Sequence, residues 1–301
     1  MLRVRALTPG LSVGVVGAGR VGAVLAAALR GTGHEIAAAA AESAASRTRV
    51  DTLLPGVAID KPTAVARSSD LLLLTVPDDA LENVVRMLVA SGAIRAGQYV
   101  VHTSGHHGVT VLQPALDIGA HGIAMHPAMT FTGTDVDLER LAGCVFGVTC
   151  APPERAAAQE LVDELRGQLS WITEENRAVY HAALAHGANH LVTLVTQAID
   201  VLRTTGSNDP AATLRPLLTA ALDNALAYGD AALTGPIVRG DIETVGEHLR
   251  GLRHSAPAVM ESYVVMARAT ANRAVVAGRL EPRRAAALIE VLGDAVAGVV
   301  A

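Results

Sequence analysis

The sequence predicts an α/β fold, in which a doubly wound, mainly parallel sheet is followed by an all-α helical domain. Short apolar runs alternate with alanine-rich helical stretches up to Thr173, as in sheets built from strand–helix–strand units. A glycine-rich turn follows the first of these runs. After Thr173 only helical patterns occur, and the domain boundary is therefore predicted at 173/174, giving domains 1–173 and 174–301.

The strands are predicted from apolar runs that end at polar or turn-forming residues. The run Leu71–Val76 is apolar except at Thr75 and lies between Asp70 and Pro77, which is typical of a central strand buried on both faces. Similar runs predict the other strands, at 12–16, 35–40, 98–102, 122–125, 144–149 and 170–172. Helices are predicted at 21–30 and 153–166.

The second half is predicted from helix caps. Thr173, followed by Glu174 and Glu175, predicts the start of a helix that runs unbroken to about Thr205. Asp209 and Pro210 predict the next start, because proline fits the first helical position. The remaining helices are predicted at 210–228, after a cap at Asp241, at 257–277 and from 282 to the end.

Composition excludes several classes of partner. The net charge of -5 and the aromatic content of 2% argue against nucleic-acid binding. Hydrophobic residues make up 50%, but charges interrupt the apolar runs before the ~20 residues that a membrane span needs. Cys144 begins the predicted strand 144–149 and Cys150 directly follows it, so the two are too far apart to bridge, and we expect a reduced, cytoplasmic protein.

The glycine-rich turn carries the clearest motif. It reads Gly17-Ala18-Gly19-Arg20-Val21-Gly22, after a predicted strand and at the start of a predicted helix. In this context the first glycine permits the tight turn, the second lets the backbone approach a pyrophosphate, and the third lets helix and strand pack closely. The motif therefore predicts a dinucleotide-binding domain of the Rossmann type over residues 1–173.

The choice between NAD and NADP depends on the end of the second strand. Glu42 is placed to bind the ribose diol of NAD. The following residues include Ser43, Arg47 and Arg49, and hydroxyls with arginines suit a 2′-phosphate. We expect NADP, with Ser43 and Arg47 as contacts.

Further site candidates lie at the carboxyl ends of the predicted strands, where open α/β sheets bind ligands. They are Val76, Pro77, Thr103, Ser104, Gly105 and His126. Five of the eleven histidines fall between residues 102 and 126, but their spacing fits no metal template, and no metal is expected. These residues are interpreted as walls of a nicotinamide and substrate cleft, the alternative being polar loops without a role.

A resemblance rests on three segments: VVHTSGHHGVTVLQP at 100–114, GAHGIAMHPAMTFTGT at 119–134 and LTGPIVRGD at 233–241. With the glycine turn, they resemble Rossmann-like proteins whose C-terminal helical domain is of unknown function. These are similar in layout to pyrroline-5-carboxylate reductase, ketopantoate reductase, and the 6-phosphogluconate and 3-hydroxyisobutyrate dehydrogenases. The resemblance implies an NADP-dependent reductase that pairs as a homodimer through domain 174–301, with a small carboxylic acid such as a branched 2-oxo acid as substrate.

The hydroxyacid dehydrogenases of that superfamily carry a lysine and an asparagine on the long helix. Here His186 and Asn189 have that spacing, and His181, Ala185 and Asn189 would share one α-helical face. The lysine itself is absent, since Lys61 is the only lysine of the chain. Either His181 or His186 donates the proton and Asn189 holds the substrate oxygen, or these histidines are packing residues.

Arg239, in the predicted loop 233–241, is a candidate for binding a substrate carboxylate. The alternative is an ion pair with Asp241 at the helix cap.

Together the candidate site residues and the resemblance predict an NADP-dependent oxidoreductase that reduces a small 2-oxo acid or imino acid. Two alternatives remain open: a non-catalytic NADP(H)-binding sensor or interaction protein, and hydride exchange between NADP and a deazaflavin.

Overall fold

In the computed structural model, which describes residues 10–297, one sheet organises the first half of the chain. Its seven strands are β1 Ser12–Val16, β2 Glu35–Ala40, β3 Leu71–Leu74, β4 Tyr99–His102, β5 His121–Pro127, β6 Val145–Cys150 and β7 Gln168–Trp171. They lie in the order β2-β1-β3-β4-β5-β6-β7. All neighbours pair in parallel except β5 and β6, which are antiparallel. The mainly parallel sheet is confirmed.

Helices cover both faces of this sheet. They are α1 Arg20–Gly31, α2 Ala44–Leu53, α3 Pro62–Arg67, α4 Asp78–Ala90, α5 Gln113–Asp117, α6 Val136–Arg140, α7 Arg155–Glu164 and α8 Arg177–Leu184. Side chains of β3 alternate between two apolar clusters: Leu71 and Leu73 join one, and Leu72 and Leu74 join the other. Because both faces are buried, β3 is apolar throughout, and the doubly wound architecture is confirmed.

The chain divides into two compact units, residues 1–186 and 187–301. Within the part described, the second unit is all-helical, as predicted, with α9 His190–Thr204, α10 Pro210–Tyr228, α11 Pro236–Arg239, α12 Ile242–Ser255, α13 Met260–Val276 and α14 Pro282–Ala297. Its core includes Val245, Val264, Leu288 and Leu292. The predicted continuation of the last helix beyond residue 297 lies outside the described residues.

The predicted long helix differs from the observed one in two ways. A π-helical turn, Ala185–Asn189, separates α8 from α9, so the expectation of an unbroken α-helix was wrong. Because hydrogen bonds in a π turn span five residues, the α-helical register of His181, Ala185 and Asn189 does not hold there. At the start, Thr173 has the N-cap position, but its side chain makes no cap hydrogen bond, and a 3₁₀ turn precedes α8.

Two smaller predictions were also wrong. The third strand ends at Leu74 rather than Val76, because Thr75 Oγ1 donates to Gly17 O and ties the chain to the glycine turn. The predicted loop 233–241 contains the short helix α11, which Pro236 opens and Gly240, at φ +67°, ends. None of the helices in the described range is long and apolar enough to cross a membrane.

Candidate functional site

The topological switch point of the sheet lies between β1 and β3. The chain leaves β1 toward one side for β2 and crosses to the other side for β3, which opens a crevice at the carboxyl ends of these strands. The glycine turn and the segment after β3 meet there, since a Cβ placed on Gly17 would lie 2.8 Å from Val76 N. The predicted Gly17, Val76 and Pro77 therefore share the ligand-binding edge of the sheet.

The three glycines of the turn have different constraints. Gly17 has φ +93°, a conformation that side chains with a Cβ rarely adopt. A Cβ on Gly22 would collide with Thr75 Oγ1 and lie 2.8 Å from Gly17 O, so this glycine sets the approach of helix and strand. A Cβ on Gly19 would meet nothing closer than 3.8 Å, which leaves space beside the backbone for a ligand.

Backbone donors line that space. The N–H groups of Gly17 and Ala18 donate to Ala40 O, and Ala23 N–H makes the first bond back into α1, to Gly19 O. The N–H groups of Arg20, Val21 and Gly22 belong to the first helical turn and have no partner within a helix. Together with the positive end of the helix dipole they fit a pyrophosphate, and the space beside Gly19 leaves the backbone open to it.

The end of β2 carries the predicted 2′-phosphate contacts. Ser43 caps α2, its Oγ accepting from Ser46 N–H at 3.0 Å, and the exposed Arg47 donates from Nη1 to Ala41 O at 3.3 Å. Both lie at the N-terminus of α2, which favours an anion. Sequence reasoning did not identify the turn at Gly133 as a neighbour of the two arginines Arg20 and Arg49. A Cβ built on Gly133 would lie 2.6 Å from Arg49 Nε and 3.0 Å from Arg20 Cγ.

The carboxyl ends of β3, β4 and β5 are aligned, because Leu74 pairs with His102 and His102 pairs with Ala124. His102 is fully buried; its Nε2 donates to Gly108 O at 2.8 Å, and its Nδ1 accepts from Ser104 N–H at 3.2 Å. Burial lowers the pKa of His102 to about 4. His102 is therefore a neutral ring, and its two hydrogen bonds hold the loop that carries Thr103, Ser104 and Gly105.

Three imidazole rings surround this loop. The centroid of the His181 ring lies 6.0 Å from that of the His126 ring and 6.5 Å from that of the His106 ring. A Cβ on Gly105 would lie 2.7 Å from His181 Cδ2 and 3.0 Å from His126 Nε2. The structure thus brings the predicted Gly105, His126 and His181 together. Within residues 10–297 no cluster of three or more metal-ligating side chains is found.

Two residues of α8 were missed by sequence reasoning. Tyr180 Oη lies 3.0 Å from His126 Nδ1, and the Tyr180 ring packs on Gly147, whose Cβ would lie 2.5 Å from Tyr180 Cζ. Arg177 is buried and donates from Nη1 to Gly147 O at 3.2 Å. The spacing of Arg177, Tyr180 and His181 at i, i+3 and i+4 was the signal that could have found this face.

Burial has the largest effect on the pKa values of His126 and Tyr180. It lowers the pKa of His126 to about 4, with smaller effects in the same direction from Arg177 and His181 and an opposing effect from Asp78. Burial raises the pKa of Tyr180, while Arg177 lowers it. At neutral pH His126 is therefore an uncharged ring and Tyr180 a protonated phenol, joined by one hydrogen bond.

The other predicted catalytic residues are placed differently. His186 and Asn189 lie on the exposed π turn, at the point where the two units divide. Arg239 lies in the second unit, at a cavity of about 420 Å³ that Arg279 and Arg284 also line. Asp241 caps α12 by accepting from Thr244 N–H at 3.1 Å, and the described residues include no ion pair between Asp241 and Arg239.

Comparisons with known proteins agree with this architecture. Residues 4–127 match the family model of a Rossmann-like domain, and residues 144–270 match DUF2520, a domain of unknown function. The chain therefore combines a Rossmann-like domain with a DUF2520 domain, as the resemblance implied. No match was found among curated proteins.

Solved structures share the fold at low sequence identity. A Bacteroides fragilis protein classed as an NADP oxidoreductase superposes with a TM-score of 0.75 at 21% identity, covering 87% of this chain and 98% of its own. An Aspergillus terreus reductive aminase, in complex with NADPH and ethyl-5-oxohexanoate, gives 0.57 at 18%, covering 96% and 94%. A Myxococcus stipitatus imine reductase in complex with NADP⁺ gives 0.57 at 16%, covering 95% and 94%.

Proposed function

We propose that the protein is an NADP-dependent oxidoreductase that reduces a small 2-oxo acid or imino acid. The observation that carries this proposal is that the glycine turn, which follows β1, and His126, near the end of β5, lie at the same edge of one sheet, with the His181 ring 6.0 Å from the His126 ring. Structural neighbours that include NADP-bound imine reductases and reductive aminases support the reaction class.

The Rossmann unit supplies the groups that would hold the cofactor. The backbone of Gly17–Gly22 binds the pyrophosphate, and Ser43 and Arg47 face the 2′-phosphate. Val76, Pro77 and the loop Thr103–Gly105 form the nicotinamide wall, because they follow adjacent strands. The bound cofactor supplies the hydride, and the protein supplies orientation and a proton.

His181 is the proton donor that the geometry favours. It is half-buried beside Gly105 and His126, whereas His186 lies on the exposed π turn. His126 is uncharged at neutral pH, so it serves as a hydrogen-bonding wall of the site rather than as its acid. The roles of Asn189 on the substrate oxygen and of Arg239 on a carboxylate stay predictions, with His186 as the alternative acid.

Cofactor preference tests the first step of this proposal. We expect the wild-type protein to bind NADPH more tightly than NADH, and Arg47→Gln to reduce that preference by about tenfold, because one charge-assisted contact to the 2′-phosphate is lost. Fluorescence titration with both nucleotides measures it. Arg86→Gln, an exposed change on α4, is the control. Equal affinity of the wild-type protein for both nucleotides would contradict the assignment of NADP.

A homodimer through the helical unit is part of the proposal. Large apolar side chains are exposed on α9 and α10, among them Leu194, Leu217, Leu226 and Tyr228, and α10 has no buried residue. Such a surface favours a partner. Light scattering should give twice the 30.9 kDa of one chain, and Leu226→Glu should weaken the dimer. A monomer at micromolar concentration would contradict the proposed dimer.

A cytoplasmic location also stays a prediction.

A further inference from the structure

The turn that follows β5 brings two arginines together. A Cβ on Gly133 would lie 2.6 Å from Arg49 Nε and 3.0 Å from Arg20 Cγ, so both side chains lie against this one residue. Arg20 is the first residue of α1, and Arg49 lies in the second turn of α2. Arg49 therefore reaches from α2 toward the end of α1 at which the glycine turn presents its N–H groups.

The turn is held in place by a buried carboxylate. Asp137 is fully buried, and its Oδ2 accepts from Thr132 N–H at 2.8 Å and from Gly133 N–H at 2.7 Å. Its Oδ1 accepts from Thr132 Oγ1 at 3.0 Å. Phe131, at the start of the turn, is buried in the apolar cluster that also contains Val50 of α2. Gly133 is thus fixed against α2, and because it has no side chain it leaves the space that Arg49 occupies.

Neither arginine has an anionic partner in the part of the chain that is described. The side chains of Arg20, which is exposed, and Arg49, which is half-buried, make no ion pair or hydrogen bond there. The carboxylate of the turn, that of Asp137, is within ion-pair distance only of Arg140, at 3.7 Å. Guanidinium groups stay charged, so two of them against one glycine repel each other unless an anion neutralises them. The arrangement indicates an anionic ligand.

The start of α1 adjoins the end of β2, where a Rossmann fold binds the adenosine ribose. The N–H groups of Gly17 and Ala18 donate to the carbonyl of Ala40, the last residue of β2, at 3.2 and 2.9 Å. Arg20 follows two residues after Ala18, and α2, which carries Arg49, begins four residues after Ala40. Both arginines therefore come from helices whose N-terminal ends lie at this part of the sheet edge.

We propose that Arg20 and Arg49 bind the 2′-phosphate of NADP together with Arg47, and so determine the preference for NADP over NAD. This inference rests on the proposed function. A phosphate monoester carries about −1.5 to −2 charges at pH 7, more than one arginine neutralises. Arg47 also has its Nη1 bonded to Ala41 O. The pyrophosphate, in contrast, has the backbone N–H groups of α1 and the helix dipole, which leaves the two further arginines for the 2′-phosphate.

Nucleotide titration of arginine variants tests the proposal without turnover. Arg49→Gln and Arg20→Gln should each weaken NADPH binding by about tenfold and leave NADH binding within about twofold, because each removes one charge-assisted contact to the 2′-phosphate. Arg30→Gln is the matched control, since it removes the same charge from an exposed position in the last turn of α1, and it should change neither affinity. Calorimetry with adenosine 2′,5′-bisphosphate and 5′-AMP should show the same difference without the nicotinamide.

Two results would overturn the proposal. One is unchanged NADPH affinity in folded Arg49→Gln or Arg20→Gln. The other is an equal loss of NADPH and NADH affinity, which would assign the arginines to the pyrophosphate. A wild-type protein that binds neither nucleotide would overturn the proposed function together with this inference, whereas an NADPH preference that persists in both variants would overturn this inference alone.

Discussion

His181→Ala is expected to lower kcat by about 10²- to 10⁴-fold, the usual contribution of a positioned general acid. The His181 ring lies beside Gly105 and His126 at the strand ends, and the glycine turn is formed by other residues. The Kd for NADPH should therefore stay within about twofold of the wild-type value. Steady-state oxidation of NADPH gives kcat, and fluorescence titration gives the Kd.

The same assay on His186→Ala separates the two candidate acids. His186 lies on the exposed π turn, and its replacement should leave most of the activity. His254→Ala, an exposed change on α12, controls for the loss of an imidazole. Full loss in His186→Ala with wild-type turnover in His181→Ala would transfer the role to His186. Unchanged kcat in both variants would remove both histidines from the chemistry.

Gly19→Ala is expected to lower NADPH affinity by at least about tenfold without loss of stability. Gly19 has φ −80°, which alanine adopts readily, and a Cβ there meets no protein atom within 3.8 Å. The added methyl therefore costs the fold little, but it occupies the space in which the pyrophosphate approaches the backbone. Titration with NADPH measures the affinity, and thermal unfolding measures the stability.

Two other glycines of the same helix provide controls. A Cβ on Gly31 meets nothing within 4 Å, and Gly31→Ala should change neither affinity nor stability appreciably. Gly22→Ala, which forces a methyl against Thr75 Oγ1, should instead lower the free energy of unfolding by about 1–3 kcal/mol. Wild-type NADPH affinity in Gly19→Ala would show that the turn does not hold a pyrophosphate.

The sheet could be predicted because its signals are local. β1 and β2 have the predicted bounds, 12–16 and 35–40, since neighbouring residues determine the strand pattern and the turns. The end of β3 was misplaced because it depends on the bond from Thr75 Oγ1 to Gly17 O, between residues far apart in sequence. The π turn was missed because no cap or spacing in the sequence distinguishes it from a continuing α-helix.

The site was predictable only where it is a contiguous motif. The glycine turn could be identified from its own residues, together with the predicted strand before it and the predicted helix after it. The approach of His126 to His181 depends on the register of β5 and on how α8 packs, and neither is encoded in residue spacing. Arg177 and Tyr180 were missed because their contacts, with Gly147 and His126, join residues far apart in sequence.

Transfer of deuterium from [4,4-²H₂]NADPH to an acceptor tests the central proposal most directly. The panel would hold 2-oxo acids, including ketopantoate, cyclic imino acids and a deazaflavin, with mass spectrometry of the products. We predict one product that carries a single deuterium from the cofactor. Tight NADPH binding with no labelled product across the panel would contradict the reductase and favour a non-catalytic sensor, and transfer only to a deazaflavin would contradict the proposed substrate class.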